Sequence, residues 1–418
     1  MFIFIILFVF LQLVIPRISF VKQSRLERNE LFGLFTIKVL VGLLLGWISF
    51  TYYPVNDYWD INKKGFDDYQ VLMEHPVKFF SDFFFNPYHD NYGRFFNAVG
   101  SYWNDLRSNI VIKLLAVCNV LSRGNYYINS LIFNFFGFMG YIALYIVFSG
   151  IYPHLKKMII IGCFLLPSTL YFTSGIHKDL LVASFLSFYV YAIYSILDSG
   201  YSKKRICLMI LSALMILLLR NFLFIVMIPA SIALLISKKS KLSTLKINLL
   251  TFLTCIFLLG FIEVFTKNNF ILEIITQRQF DFLQLEKAGS QLPMNTLHPT
   301  IKSFFINIPH AFNHSFLRPF LCDSTNVFSL FLSIELLVYF ILFLIYIRQL
   351  IFKGIILNAN IFLVFGLFIS IIMLLIIGYI VPNTGSIVRY RSIYLPFLIL
   401  PLLVNIRFNL QRNNKLNK

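Results

Sequence analysis

The chain has 418 residues, of which 58% are hydrophobic, 18% aromatic and only 13% charged. A soluble globular domain carries about 25% charged residues, so this composition excludes one and points to an integral membrane protein. The net charge of +18 would suggest nucleic acid as a partner of a soluble protein. Here the Lys and Arg fall mainly in short segments beside apolar runs, where the positive-inside bias accounts for them and no nucleic acid is expected.

The first residues, MFIFIILFVFLQLVIP, lack the charged leader and cleavage site of a signal peptide, and read as a retained first helix. Charge then assigns sides. Arg17, Lys22, Arg25 and Arg28 place that segment in the cytoplasm, so the N-terminus is expected outside. A second span, Phe32 to about Tyr52, leads out into the first large polar segment, residues 51–125. This segment carries Asp57, Asp60, Asp67, Asp68, Glu74 and Asp82. Its stretch Ile110–Val120 is apolar but short and interrupted by Lys113. That length suits a re-entrant or interfacial helix, because a span needs about 20 residues.

Tyr126–Ile151 reads as a span that ends inside at His154, Lys156 and Lys157. Met158–Thr173 goes out to the turn Gly175–Asp179, and Leu180–Leu197 comes back to Lys203, Lys204 and Arg205. Ile206–Ile236 is too long for one helix, and Arg220-Asn221 splits it into a hairpin with Arg220 at the outer end. Lys238, Lys239, Lys241 and Lys246 then fall inside, and Ile247–Phe265 leads out to a second large polar segment, residues 266–326. Val327–Ile347, Ile355–Ile380 and Ser392–Ile406 complete the set, with Arg407, Arg412, Lys415 and Lys418 inside. The expected architecture is all-α. It is one polytopic transmembrane bundle over residues 1–418 with about 11 spans, N-terminus out, C-terminus in and two large extracytoplasmic loops. No internal repeat of the inverted-repeat kind is visible, nor any GxxxxGK[ST] or GxGxxG nucleotide motif.

This assignment leaves a short set of ionisable groups at the outer ends of apolar helices: Asp57 and Asp60, His177, Lys178 and Asp179, Arg220, Arg318, Arg389 and Arg391. His298, His310 and His314 share the second loop, and Glu335 lies within an apolar run, expected to face the bundle interior. Taken singly, each has a plain structural role. Asp179 would cap a helix, Lys178 and Arg220 would snorkel, and Arg389 or Arg391 would pair with Asp179 or Glu335. Taken together, outer basic residues run against the positive-inside bias, and Arg and Lys bind phosphate oxygens. A carboxylate beside them could deprotonate a sugar hydroxyl as general base. Asp57 and Asp60 are the candidates for that role; the cationic residues, with His177 and Asp179, are the candidates for substrate binding.

His310 and His314 have the i,i+4 spacing of two helix-borne zinc ligands. No acid of an HExxH pattern lies between them, so no metal site is expected there. Mg²⁺ or Mn²⁺ held by the two acidic loops stays open as an alternative. The five cysteines, Cys118, Cys163, Cys207, Cys255 and Cys322, are scattered and form no CxxC, so neither a structural disulfide nor a zinc site is expected.

Three stretches resemble multi-spanning proteins of bacterial surface-polysaccharide assembly. They are PSTLYFTSGIHKDLL, INIPHAFNHSFLRPF followed by SIELL, and GSIVRYRSIYLPFLILP. The layout also resembles the O-antigen polymerases and the GT-C glycosyltransferases, with an acid-bearing outer loop after an early span and a second large outer loop. The resemblance implies a protein of the bacterial cytoplasmic membrane acting on undecaprenyl-diphosphate-linked glycan. It implies no cofactor beyond a divalent cation, and as partners the membrane lipids and other polysaccharide-assembly proteins. Polymerisation is the first expectation. Single-sugar transfer from a polyprenyl-phosphate donor, or flipping of the lipid-linked glycan, are its alternatives.

Overall fold

The computed structural model describes residues 2–53, 56–83, 102–266, 270–285, 289–324, 326–353 and 360–406. The chain runs through α1 (Phe2–Val14), α2 (Ser19–Lys22), α3 (Arg28–Tyr52), α4 (Asp57–Glu74), α5 (Pro76–Ser81), α6 (Tyr102–Ser122) and α7 (Tyr126–Ile151). It continues with α8 (Lys156–Phe164), α9 (Pro167–Phe172), α10 (Lys178–Ser199), α11 (Lys203–Leu219), α12 (Asn221–Lys239) and α13 (Thr244–Thr266). The last helices are α14 (Phe270–Leu283), α15 (Ile301–Phe312), α16 (Val327–Lys353), α17 (Ile361–Ile380), α18 (Thr384–Ser392) and α19 (Leu395–Asn405). Among the described residues there is no strand, only an isolated bridge between Gln291 and Asn383.

Among the described residues six helices, α3, α7, α10, α12, α16 and α17, are long and apolar enough to cross a membrane. The pair α18–α19, bent by 62°, makes a seventh if it counts as one broken span. The all-α, multi-pass membrane character read from composition therefore holds. Polar side chains mark the helix starts: Asn125, Asn360 and Asn383 each accept from first-turn amides of α7, α17 and α18.

The core forms around α7, whose Phe138, Ile142, Ala143, Val147 and Phe148 are fully or nearly fully buried. It packs against α3, α6, α8 and α10. By contrast α16 exposes Ile334, Val338 and Ile341, and α13 exposes Leu249, Leu253 and Phe257. Apolar faces on this scale are costly in water and suit a lipid surround.

Three expectations change. The run Met158–Thr173 is not one helix but α8 and α9, broken at Leu165-Leu166. Pro167 has no amide hydrogen and pushes Leu166 into an extended conformation, φ −69°, ψ 119°. The described part of the first polar segment is largely helical: α4 is amphipathic, and α6 extends well beyond Ile110–Val120. The run expected from Ser392 is helical only from Leu395, as the 11-residue α19 that follows α18. Residues 355–359 of the run Ile355–Ile380 and the basic cluster from Arg407 lie outside the described residues. The split at Arg220 is as expected, a single residue between α11 and α12.

Contacts sort the polar groups into two ends. Lys156 pairs with Glu30 at 2.7 Å, Tyr191 bonds Gln23, and Lys238 bonds the Leu197 carbonyl. All of these carry the same predicted side. At the other end Asp57, His177, Asp179, Arg220 and Arg389 meet, and backbone bonds from Leu292 to Pro382 and from Thr384 to Ser290 tie the second polar segment to the last loop.

Candidate functional site

The site forms where a chain break delivers ionisable side chains. After α9 the backbone turns through Gly175, whose φ of +96° is a left-handed conformation that favours glycine. His177 is the N-cap of α10, and Lys178 and Asp179 occupy its first turn. Asp179 thus sits where the helix dipole favours an anion, but it does more than cap. It is fully buried, with Arg220 Nη2 3.3 Å from Oδ1 and Arg389 Nε 3.5 Å from Oδ2. Arg389 reaches a second carboxylate as well, donating from Nη1 to Asp57 Oδ2 at 3.2 Å.

His177 stands between the two carboxylates. Its Nδ1 accepts from the Asp179 amide at 3.1 Å and lies 2.9 Å from Asp179 Oδ2. Its Nε2 lies 3.9 Å from Asp57 Oδ2. One ring nitrogen cannot accept from an amide and donate to a carboxylate at once. With its lone pair on Nδ1 the ring caps α10; with a proton there it would face Asp179 Oδ2 instead. Asp57 is the open carboxylate, with 59% of its side chain exposed, against none for Asp179. The nearby His177 ring, with the Arg389 charge, holds the Asp57 carboxyl well below the usual range.

Tyr390 lies under both guanidiniums. The Arg220 and Arg389 carbons stand 4.5 and 5.2 Å from its ring centre, a cation–π arrangement. Lys178 is half-buried and feels Asp57, Asp179, Arg107 and Arg389 electrostatically. Among the described residues its ammonium makes no direct hydrogen bond or ion pair. Arg107, on α6, interacts in turn with Arg278, Arg220 and Asp179, and burial draws its guanidinium down to about 10. Arg278 is set against Asp281 and Tyr390. Five basic side chains thus share this region with three carboxylates, Asp57, Asp179 and Asp281. Such a surplus of cations, with one ammonium uncommitted, suits an anionic ligand.

Four predicted residues stand elsewhere. Asp60 is exposed, and among the described residues no side-chain contact joins it to the cluster. Arg318 pairs with Asp323 at 3.2 Å, five residues along its own chain. Arg391 is buried and donates to the carbonyls of Ser315 and Arg318 at 3.1 and 2.8 Å, which fixes the turn after α15. It is a structural side chain here, not a ligand of the cluster. Glu335 faces inward as expected, but it accepts from Ser168 rather than from an arginine.

The reading from sequence missed Arg107, Arg278, Tyr58 and Tyr390. Tyr58 packs against His177, ring centres 5.1 Å apart and planes tilted by 47°. The two arginines had a usable signal, since both are basic residues in segments assigned to the outer face. Among the described residues no three His, Cys, Asp or Glu side chains gather as metal ligands do. Comparison with protein-family models, with curated proteins and with solved structures finds no match to this chain.

Proposed function

We propose that this protein transfers glycan from a polyprenyl-diphosphate donor to a glycan hydroxyl at the outer face of a bacterial cytoplasmic membrane, as a polysaccharide polymerase does. The observation that carries the reading is the cationic cluster beside the exposed carboxylate of Asp57. In this reading the chain has about 11 spans with the N-terminus out and the C-terminus in, and the cluster lies outside. The acceptor oxygen bonds to the donor's anomeric carbon as the bond from that carbon to the diphosphate breaks. The diphosphate leaves with the electron pair, and Lys178, Arg220 and Arg389 stabilise its charge. Asp57 orients the hydroxyl and takes its proton late, once the forming bond has made that proton acidic. A carboxylate of low basicity suits this role.

Arg389→Lys tests it. Lys keeps the charge but loses the planar fork that spans Asp57 and Asp179. Purified protein given lipid-linked oligosaccharide should lengthen the glycan unaided, and the variant should be slower by about 100–1000-fold, as for a lost oxyanion donor. Labelling checks the side: an impermeant thiol reagent should reach the exposed Cys322 in intact cells but not a cysteine placed at Lys204.

A second reading has its own support. Lys38 is buried near the middle of α3, and α8–α9 is a broken helix pair, features found in transporters. A purified protein that never extends glycan but moves labelled lipid between liposome leaflets would favour flipping and end the transferase reading.

A further inference from the structure

Among the buried ionisable side chains that the reaction above does not use are Lys38 and Glu335. Lys38 is 2% exposed. Its ammonium donates to the Thr173 carbonyl at 2.6 Å, approaches Ser174 Oγ at 3.4 Å and lies 5.0 Å from the Tyr141 ring centre. Among the described residues it pairs with no carboxylate. Glu335 is 8% exposed, and its Oε1 accepts from the amide and the hydroxyl of Ser168, both at 3.0 Å, and from Tyr339 at 2.5 Å. Arg391 also faces it electrostatically.

The two charges grip opposite ends of the same six-residue helix, α9. An acid at the first turn and a base at the last carbonyls match the helix dipole at both ends. They also satisfy amide and carbonyl groups that a helix this short leaves open. Such a helix has little stability of its own, so its placement depends on what holds it.

Its placement also fixes the anion site twice. Thr173 leads directly through Gly175 to His177 and Asp179, with the Gly175 amide donating to Asn134 at 3.3 Å. Thr169 donates to the Ser392 carbonyl at 2.7 Å, and Ser392 Oγ donates to the Arg389 carbonyl at 2.6 Å. A shift of α9 therefore displaces Asp179 and Arg389 from one another.

We propose that Lys38 and Glu335 are positioning residues, which hold α9 from its two ends and so set the geometry of His177, Asp179 and Arg389. The affinity part of the test rests on the anion-site reading above; the spectroscopic part does not. Full-length protein in detergent, with histidine labelled by ¹⁵N, would be titrated with inorganic pyrophosphate. The His177 ring signals would be assigned by their loss in His177→Gln. Lys38→Met keeps the volume and removes the donor and charge; Glu335→Gln keeps a hydrogen bond and removes the charge.

Each variant should move the His177 ring signals and leave those of exposed His75 and His298 in place. Each should weaken pyrophosphate binding by about 10-fold, within the range of couplings through packed side chains. Unmoved His177 signals in both variants overturn the proposal, whatever happens to affinity. If Lys38→Met does not fold, Glu335→Gln decides by the same two measurements. A wild type that does not bind pyrophosphate ends the anion-site reading, while the His177 signals still decide the positioning.

Discussion

Replacing Asp179 with Asn asks whether this carboxylate is the electrostatic centre of the site or only a helix cap. Asn has the same shape and serves well at helix starts. If Asp179 acted only on the dipole of α10, losing its charge would cost about 0.3–1 kcal/mol. The geometry says more. The carboxylate is fully buried, with His177, Arg220 and Arg389 at 2.9, 3.3 and 3.5 Å. Removing one partner of a buried pair leaves an uncompensated charge and costs about 3–5 kcal/mol. Arg389 keeps Asp57 as a second partner, so the uncompensated charge falls mainly on Arg220. The assay is unfolding of the purified protein in mixed micelles by added sodium dodecyl sulfate, at low and high salt. Buried pairs are weakly screened, so the loss should be similar at both. Saturating pyrophosphate should recover part of it, about 2.7 kcal/mol at one hundred times its Kd. A loss below about 1 kcal/mol, within the range for the dipole alone, would refute the pairing argument and restore the cap.

Other perturbations give narrower tests. The lowered Asp57 carboxyl contributes stability that is present above the ordinary carboxylate pKa, about 3.9, and is lost as pH falls below it. Asp57→Asn should lose that acid limb in pH-dependent unfolding, by less than about 1 kcal/mol because the side chain is largely exposed. Burial, with His310 4.1 Å away ring to ring and Arg318 nearby, lowers His314 from 6.5 to about 4 against the opposing pull of Asp323. The unfolded chain then binds the proton first, so wild-type stability should fall by about 1.4 kcal/mol per unit from pH 6.5 down to 4. His314→Gln should flatten that interval. At Gly378 a Cβ would stand 2.1 Å from the Ala311 carbonyl oxygen of α15. Gly378→Ala should therefore lower the melting temperature, at a cost of about 1–3 kcal/mol, while Gly33→Ala, with nothing near it, should not.

The sequence shows the apolar runs and their breaks well, because hydropathy is a local property. Tyr126–Ile151 has the bounds expected of it, and Arg220 divides its helix pair as expected. His177, Asp179, Arg220 and Arg389 were also legible, as charges stranded at the ends of apolar helices. Direction was not legible. Arg389 and Arg391 are two apart on α18, about 200° around the helix. One enters the cluster and the other turns to the carbonyls of Ser315 and Arg318. Asp57 and Asp60 differ in the same way: only Asp57 reaches the cluster. Arg318 reads as a free outer cation until Asp323, five residues on, is seen to hold it. Lys38 was hidden for a different reason. A single Lys barely lowers the hydropathy of a 25-residue helix, and its partner carbonyl lies 135 residues away.

Lys38 and Glu335 also bear on the choice between a transferase and a transporter. Interior charges beside a broken helix favour a transporter when they line a path that a substrate can enter. These two do not offer such surface. Lys38 is 2% exposed and Glu335 8%, and both spend their hydrogen bonds on α9 and its flanks. A ligand can only meet atoms it can reach. Among the charges that meet beyond α9, the reachable ones are Asp57, with 59% of its side chain exposed, and the half-buried Lys178. The broken helix therefore explains how Asp179 and Arg389 come to face each other. That gives the break a structural role, and the proposed chemistry is better sought at the exposed Asp57.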